Sequence, residues 1–224
     1  MTPWIHLDTA TVPGDGGELR LMQRGAEYSI MSGPIELMNS RLSGSEEALA
    51  TLVSARLQTR PAAHVLIGGF GMGFTLRAAL ASLGPQAQVT LAELVPAVIR
   101  WARGPMAHLT GACLDDPRVR VVEADVGLLI GGAEGAYDAI LLDVDNGPEG
   151  LSRADNDRLY DRTGLDAARR ALRPGGILAV WSSSPSAPFN HRLRKAGYAV
   201  EEHRVRAGRP GRGARHMIWL AMAP

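Results

Sequence analysis

The sequence predicts an α/β protein: a mostly parallel sheet with helices on both faces, plus a small β-rich N-terminal extension. Three observations point to it. From Pro61 onward, short apolar runs alternate with amphipathic stretches, the pattern of repeated βα units around a parallel sheet. The last two strand-like runs follow each other with no helix between them, which predicts an antiparallel edge. The first 60 residues break instead into short, roughly alternating runs punctuated by Gly and Pro, as hairpins do.

Taken in order, "GELRLMQRGAEYSIMSGPIELMNS" supplies the hairpin strands. "SGSEEALATLVSARLQ" opens on a Ser N-cap, places Glu46 and Glu47 in its first turn and spaces its apolar residues for a helix. This helix joins an extension, residues 1–60, to the main unit, residues 61–224. "HVLIGG" is a strand and "FTLRAALASLG" a helix ending in Gly. "QVTLAE" is a strand, and "PAVIRWAR" a helix with Pro near its first turn. "RVRVVEAD" is a strand, "VGLLIGG" a short helix and "YDAILLD" a strand. "DRLYDRTGLDAARRALRPGG" reads as one helix stopped by Pro-Gly-Gly, followed by the strand "ILAVWSS" and the helix "PFNHRLRKAG". "YAVEEHRVRA" and "HMIWLAMA" close the chain as two strands around the loop "GRPGRGAR".

Composition narrows the function classes. The chain of 224 residues is 46% apolar and 21% charged, as a globular protein with one well-buried core is. Its net charge of +1 gives no electrostatic case for nucleic acid or a membrane surface. The one cysteine, Cys113, excludes an internal disulfide and a Cys-rich zinc site, and fits a reducing cytosol. The N-terminal residues lack the basic start and apolar stretch of a signal peptide. No apolar run nears the roughly 20 residues that cross a bilayer, so a cytoplasmic protein is expected. Arg204, Arg206, Arg209, Arg212 and Arg215 cluster in a Gly/Pro-rich hairpin loop without interleaved aromatics, which reads as a solvated loop and not a nucleic-acid surface. His191, His203 and His216 have no metal-ligand spacing, and no metal is expected.

The chemistry concentrates at strand ends. In an open parallel sheet, ligands bind beyond the carboxyl ends of the strands. After the first strand of the main unit come Gly69, Phe70, Gly71, Met72 and Gly73: Gly69 and Gly71 permit a tight turn and close backbone approach, and Gly73 lets helix pack on strand. Glu93, followed by Leu94, ends the second strand, where a carboxylate can accept both hydroxyl protons of a ribose. Asp125 ends the third, where it can accept from an adenine amino group, with Val126 offering its backbone. Each acid alone fits an exposed strand end; together with the glycine turn they describe an adenosine site. The turn lacks the longer G-x-G-x-x-G spacing that seats a pyrophosphate, so S-adenosylmethionine suits it better than a dinucleotide. An oxidoreductase and a noncatalytic nucleoside binder are the more distant readings.

These residues resemble the spermidine synthase branch of the class I S-adenosylmethionine-dependent methyltransferase superfamily. "VLIGGFGMGFTLR" matches the branch's turn V-L-I-I-G-G-G-D-G-G-V-L-R without a gap. "LAELVPAVIRWA" resembles its ribose segment, "DPRVRVVEADV" its adenine segment, and "YDAILLDVDNGPEG" its Y-D-V-I-I-x-D-S-S-D-P-x-G-P. The resemblance implies a Rossmann-like seven-stranded sheet, a possible homodimer, and aminopropyl transfer from decarboxylated S-adenosylmethionine to a diamine.

Departures from the branch pattern direct the expected chemistry elsewhere. Met72 stands where the branch has the Asp that holds the ammonium tail of its donor. A carboxylate there would repel the tail of intact S-adenosylmethionine, and methionine removes that repulsion. The second acid of D-S-S-D is replaced by Asn146, with Asp145 displaced by one, and only Glu47 matches the N-terminal D-E-x-x-Y-H-E. The expectation is therefore methyl transfer from S-adenosylmethionine to a small molecule or peptide, with aminopropyl transfer from the decarboxylated form as the alternative. Asp143, ending the fourth strand, is the expected catalytic acid/base, orienting or deprotonating the nucleophile. Asp145, Asn146, Tyr160 and Glu47 are the expected acceptor contacts.

Overall fold

A computed structural model describes residues 2–14, 17–144, 147–148, 154–208 and 213–224. Four strands, β1 (Ile5–Thr11), β2 (Glu18–Arg24), β3 (Glu27–Ser32) and β4 (Ile35–Asn39), form an antiparallel sheet in sequential order. The hairpin sequence therefore folds as a meander, and Leu21, Tyr28 and Ile30 on its inner face are buried. Trp101 donates its indole N–H to Asp8 at 2.7 Å, which fastens this sheet to the main unit.

The linking helix α1 is Gly44–Arg56, and Leu49, Ala50 and Val53 form its buried stripe. The expected Ser cap differs in detail. Ser43 makes no side-chain cap bond; the Gly44 N–H is satisfied by the Ala207 carbonyl at 2.8 Å, supplied by the C-terminal hairpin.

The main sheet has seven strands: β5 (His64–Gly68), β6 (Gln88–Ala92), β7 (Val119–Val122), β8 (Tyr137–Leu142), β9 (Leu172–Ser182), β10 (Ala199–Arg206) and β11 (Arg215–Met222). Their order is β10-β11-β9-β8-β5-β6-β7, parallel from β9 through β7, while β11 runs antiparallel to both β9 and β10. The chain steps outward from β5 through β6 to β7, then returns to lay β8 on the other side of β5. That reversal opens a crevice beyond the β5 and β8 ends.

Both faces of the sheet are covered, so its central strands are apolar throughout, and every residue of β8 is buried. Period-2 alternation assigns the sides: Val65 and Ile67 join the core shared with the N-terminal sheet, and Leu66 joins the core on the opposite face. Helices α2 (Phe74–Ser82), α3 (Pro96–Arg103) and α5 (Val126–Gly131) follow β5, β6 and β7 as expected. A short helix α4 (Ala107–Thr110) and a 3-10 turn (Gly111–Asp115) were not legible, because neither is long enough to show a period.

The stretch expected as one helix before β9 is two, α6 (Ala154–Tyr160) and α7 (Arg162–Ala171). Asp161 breaks it by capping the second, accepting from the Gly164 N–H at 2.8 Å. Pro174, Gly175 and Gly176 lie inside β9, because Leu172 already pairs with Tyr137. Helix α8 (Ala187–Lys195) precedes the last hairpin. No helix among the described residues is long and apolar enough to cross a membrane.

Candidate functional site

The crevice at the strand reversal is a cavity of about 1150 Å³, counted with its open mouth. Its floor is the glycine turn after β5. Gly69 has φ +89, and a Cβ there would run into the Asp143 carbonyl. Gly71 has φ +54, and its Cβ would lie 2.5 Å from the Met38 sulfur. These glycines thus let the turn squeeze between the end of β8 and the N-terminal sheet.

Glu93 ends β6 and is buried. One carboxylate oxygen accepts from the Phe70 N–H at 2.9 Å and the other from the Val95 N–H at 2.8 Å. Burial pushes its pKa up, and the amide bonds offset only part of that rise. The carboxylate is fixed between the glycine turn and the start of α3. Asp125 lies three residues past β7, beyond the strand end expected for it, and caps α5, accepting from the Gly127 N–H at 2.7 Å, with Val126 buried beside it.

Asp143, just past β8, accepts from the Thr75 hydroxyl at 2.5 Å. Burial and the nearby Glu46 carboxylate push its pKa up to about 7, against the Thr75 hydrogen bond. Glu46 comes from the first turn of α1. Burial raises its pKa too, with the Ser45 hydroxyl opposing and Glu47 adding to the rise. Four carboxylates (Glu46, Glu93, Asp125 and Asp143) line the cavity, and its described lining contains no Arg, Lys or His. Trp181, at the end of β9, adds an aromatic wall, and its indole N–H has no hydrogen-bond partner among the described residues.

The structure gathers Gly69, Phe70, Gly71, Glu93, Leu94, Asp125, Val126 and Asp143 around this one space. It puts others elsewhere. Met72 is completely buried in the core and is not part of the lining, because the left-handed turn directs it into the core. Gly73 sits under the Phe70 ring at the start of α2. Glu47 is exposed, and its neighbour Glu46 reaches the cavity instead. Tyr160 is buried against Phe189, ring edge to face at 5.6 Å, away from the lining. Asp145 and Asn146 lie outside the described residues. Sequence reasoning missed Thr75, Met38 and Trp181. Only Trp181 carried a usable signal, as another residue at a parallel strand's carboxyl end. Among the described residues no cluster of three or more His, Cys, Asp or Glu is arranged to hold a metal.

Residues 45–191 match the spermine/spermidine synthase domain. The chain belongs to that family. Within it, the chain is 39% identical over 153 residues to polyamine aminopropyltransferase 1 of Streptomyces coelicolor, covering 65% of this chain and 28% of the relative. It is 35% identical over 153 residues to the polyamine aminopropyltransferase of Mycobacterium tuberculosis, covering 64% of this chain and 28% of that protein. The matches therefore span under a third of these curated relatives. The fold superposes on spermidine synthase from Thermotoga maritima with a TM-score of 0.76 at 16% identity, covering 98% of this chain and 73% of that one.

These findings correct the expectation of methyl transfer. The matching family model is the spermine/spermidine synthase domain, and the two relatives just named are polyamine aminopropyltransferases. The physical premise fails as well. Met72 neutralises no part of the cavity, because it is not in the lining, and Glu46 and Asp143 stand there as acids.

Proposed function

We propose that this protein transfers an aminopropyl group from decarboxylated S-adenosylmethionine to an amine. The observation that carries the reading is the Glu46–Asp143 pair at one end of a cavity with no cation in its described lining. An ammonium tail is attracted to such a pair, whereas the carboxylate of the intact donor would face two acids with nothing to offset them. Membership of the spermine/spermidine synthase family and the relatives' named activity support the same reading.

In this reading Glu93 receives the ribose hydroxyls, its two oxygens held in place by the Phe70 and Val95 amides. Asp125 and Val126 flank the adenine, and Phe70 and Leu94 pack along the nucleoside. When bound, the donor supplies a carbon activated by its sulfonium, whose C–S bonding pair leaves on sulfur, so no residue has to protonate a leaving group. Asp143 takes the proton from the acceptor's ammonium, freeing the nitrogen lone pair for in-line attack. A carboxylate titrating at about 7 is matched to that task at neutral pH. Thr75 holds one Asp143 oxygen, leaving the other for the amine, and Glu46 balances the remaining positive charge.

The test is to incubate the purified chain with decarboxylated S-adenosylmethionine and a series of di- and triamines. The expected products are methylthioadenosine and an amine lengthened by one aminopropyl unit. Absence of methylthioadenosine with every amine would overturn the reading.

A further inference from the structure

Among the described residues, no cation pairs with Glu46. Its Oε2 accepts from the Ser45 hydroxyl at 2.6 Å, and the Ser45 oxygen lies 2.8 Å from Nδ1 of His216 on β11. Ser45 is fully buried, and His216 is half-buried with its ring edge-on to Trp181, centroids 4.8 Å apart. A serine hydroxyl has one proton. Since Ser45 gives it to Glu46, the second bond requires His216 to donate, which fixes the imidazole as the Nδ1–H tautomer. The result is a one-way donor chain, from His216 through Ser45 to Glu46, brought together from residues 171 positions apart.

We propose that Ser45 and His216 are a positioning pair that aims the Glu46 carboxylate at the amine end of the cavity, beside Asp143. The inference rests on the aminopropyl-transfer reading for the identity of the amine, and on geometry for the pair itself. The charged groups acting on Glu46 are Glu47 on its own helix and Asp143 past β8, both of which disfavour its ionised form. Opposing them are neutral donors: Ser45 beside it and, behind Ser45, His216 from β11. Thr75 from α2 gives its one hydroxyl proton to the Asp143 carboxylate at 2.5 Å, and its oxygen lies 3.3 Å from the Glu46 backbone carbonyl, so it sits between the two acids without a charge. Burial lowers the His216 pKa, so the ring is neutral at pH 7, and its Nδ1–H donates in either protonation state. From β9 and β10 the ring meets Trp181 and its cross-strand partner Val205, neither of which titrates there. Trp181 also lines the cavity, so His216 steadies two walls of the amine end at once.

The experiment follows Glu46 by carboxyl carbon NMR in the full chain, together with the amine KM and the donor Kd, in Ser45→Ala, His216→Phe and His216→Asn. Loss of the charge-assisted Ser45 hydrogen bond raises the Glu46 pKa by about one unit and the amine KM about tenfold in Ser45→Ala, and His216→Phe, which leaves that bond but removes the donor behind it, shifts both in the same direction by less. The donor Kd rises as well, since Glu46 is one of the two acids facing the donor's ammonium tail. His216→Asn, which restores an N–H donor at the Nδ1 position, recovers most of the loss. An unshifted Glu46 titration in Ser45→Ala, or no recovery in His216→Asn, overturns the proposal. Should His216→Phe fail to fold, Ser45→Ala decides alone. If the unmodified chain transfers no aminopropyl group, the functional reading falls, while the Glu46 titration still decides whether the pair positions it.

Discussion

The two ends of strand β8 carry the same side chain in opposite circumstances. Asp138, near its start, is buried and accepts from Arg60 at 2.7 Å, Arg173 at 2.6 Å and the His64 N–H at 2.8 Å. Burial pulls its pKa up, but the His64 amide and the two guanidiniums outweigh it, so the net shift is downward. Asp143, past the strand's end, has a second acid for a neighbour and no cation among the described residues, and its pKa rises to about 7. One end is electrostatically satisfied, and the other is left for a positively charged ligand to complete. In the reading proposed above, the same sheet supplies stability at one edge and chemistry at the other.

Exchanging each acid for its amide separates the roles, and the largest effect is expected at the open end. Asp143→Asn lowers the turnover of aminopropyl transfer by about 100-fold or more, the scale of a lost general base, with thermal unfolding unimpaired. Asp138→Asn does the reverse. It lowers unfolding stability by about 1–3 kcal/mol, moderated because both arginines are partly exposed, and leaves turnover nearly unchanged. Measured kcat and denaturant titrations of the pair check both halves.

Next in size is Glu93→Gln. It leaves one backbone amide facing the carboxamide NH2 and removes the charge that accepts hydroxyl protons, so donor affinity drops by about tenfold or more in calorimetry while the amine KM holds.

The pH dependence is a subtler contrast. Native Asp143 keeps its proton up to about pH 7, whereas the unfolded residue releases it near 4, so the folded state binds more protons in that window and stability falls as pH rises through it. Asp138 acts with the opposite sign: its folded pKa is depressed, so its contribution is present above the unfolded value and is lost only as pH falls through the folded one. Unfolding curves of Asp143→Asn should lack the decline between about pH 4 and 7, and transfer by the native chain should rise across neutral pH as Asp143 ionises.

The smallest effect is expected at Met72. Since that side chain lies in the core, Met72→Leu changes stability by under about 1.5 kcal/mol and leaves donor preference unaltered. A switch in donor preference would mean that Met72 reaches the cavity after all.

What the sequence revealed divides along similar lines. Glu93, Asp125 and Asp143 were legible because each follows a strand in successive βα units, and the parallel register fixes where strand ends converge. The seven strands were legible for the same reason, as apolar runs between amphipathic helices. The acid from α1 was not assignable, since choosing Glu46 over Glu47 depends on how far the helix is rotated when it docks, and the docking contacts come from α2, β9 and the last hairpin. Met72 was misplaced because aligning a turn does not show which way its side chains point when Gly69, Gly71 and Gly73 all adopt positive φ. The link from Ser45 to His216 left no local trace at all.

The decisive measurement is a calorimetric comparison of decarboxylated and intact S-adenosylmethionine binding to the native chain at neutral pH. With Glu46 and Asp143 at the tail end and no cation in the described lining, the decarboxylated form should bind at least about tenfold more tightly, a difference on the scale of one charge-assisted contact. Equal binding of the two, or tighter binding of the intact form, would contradict it.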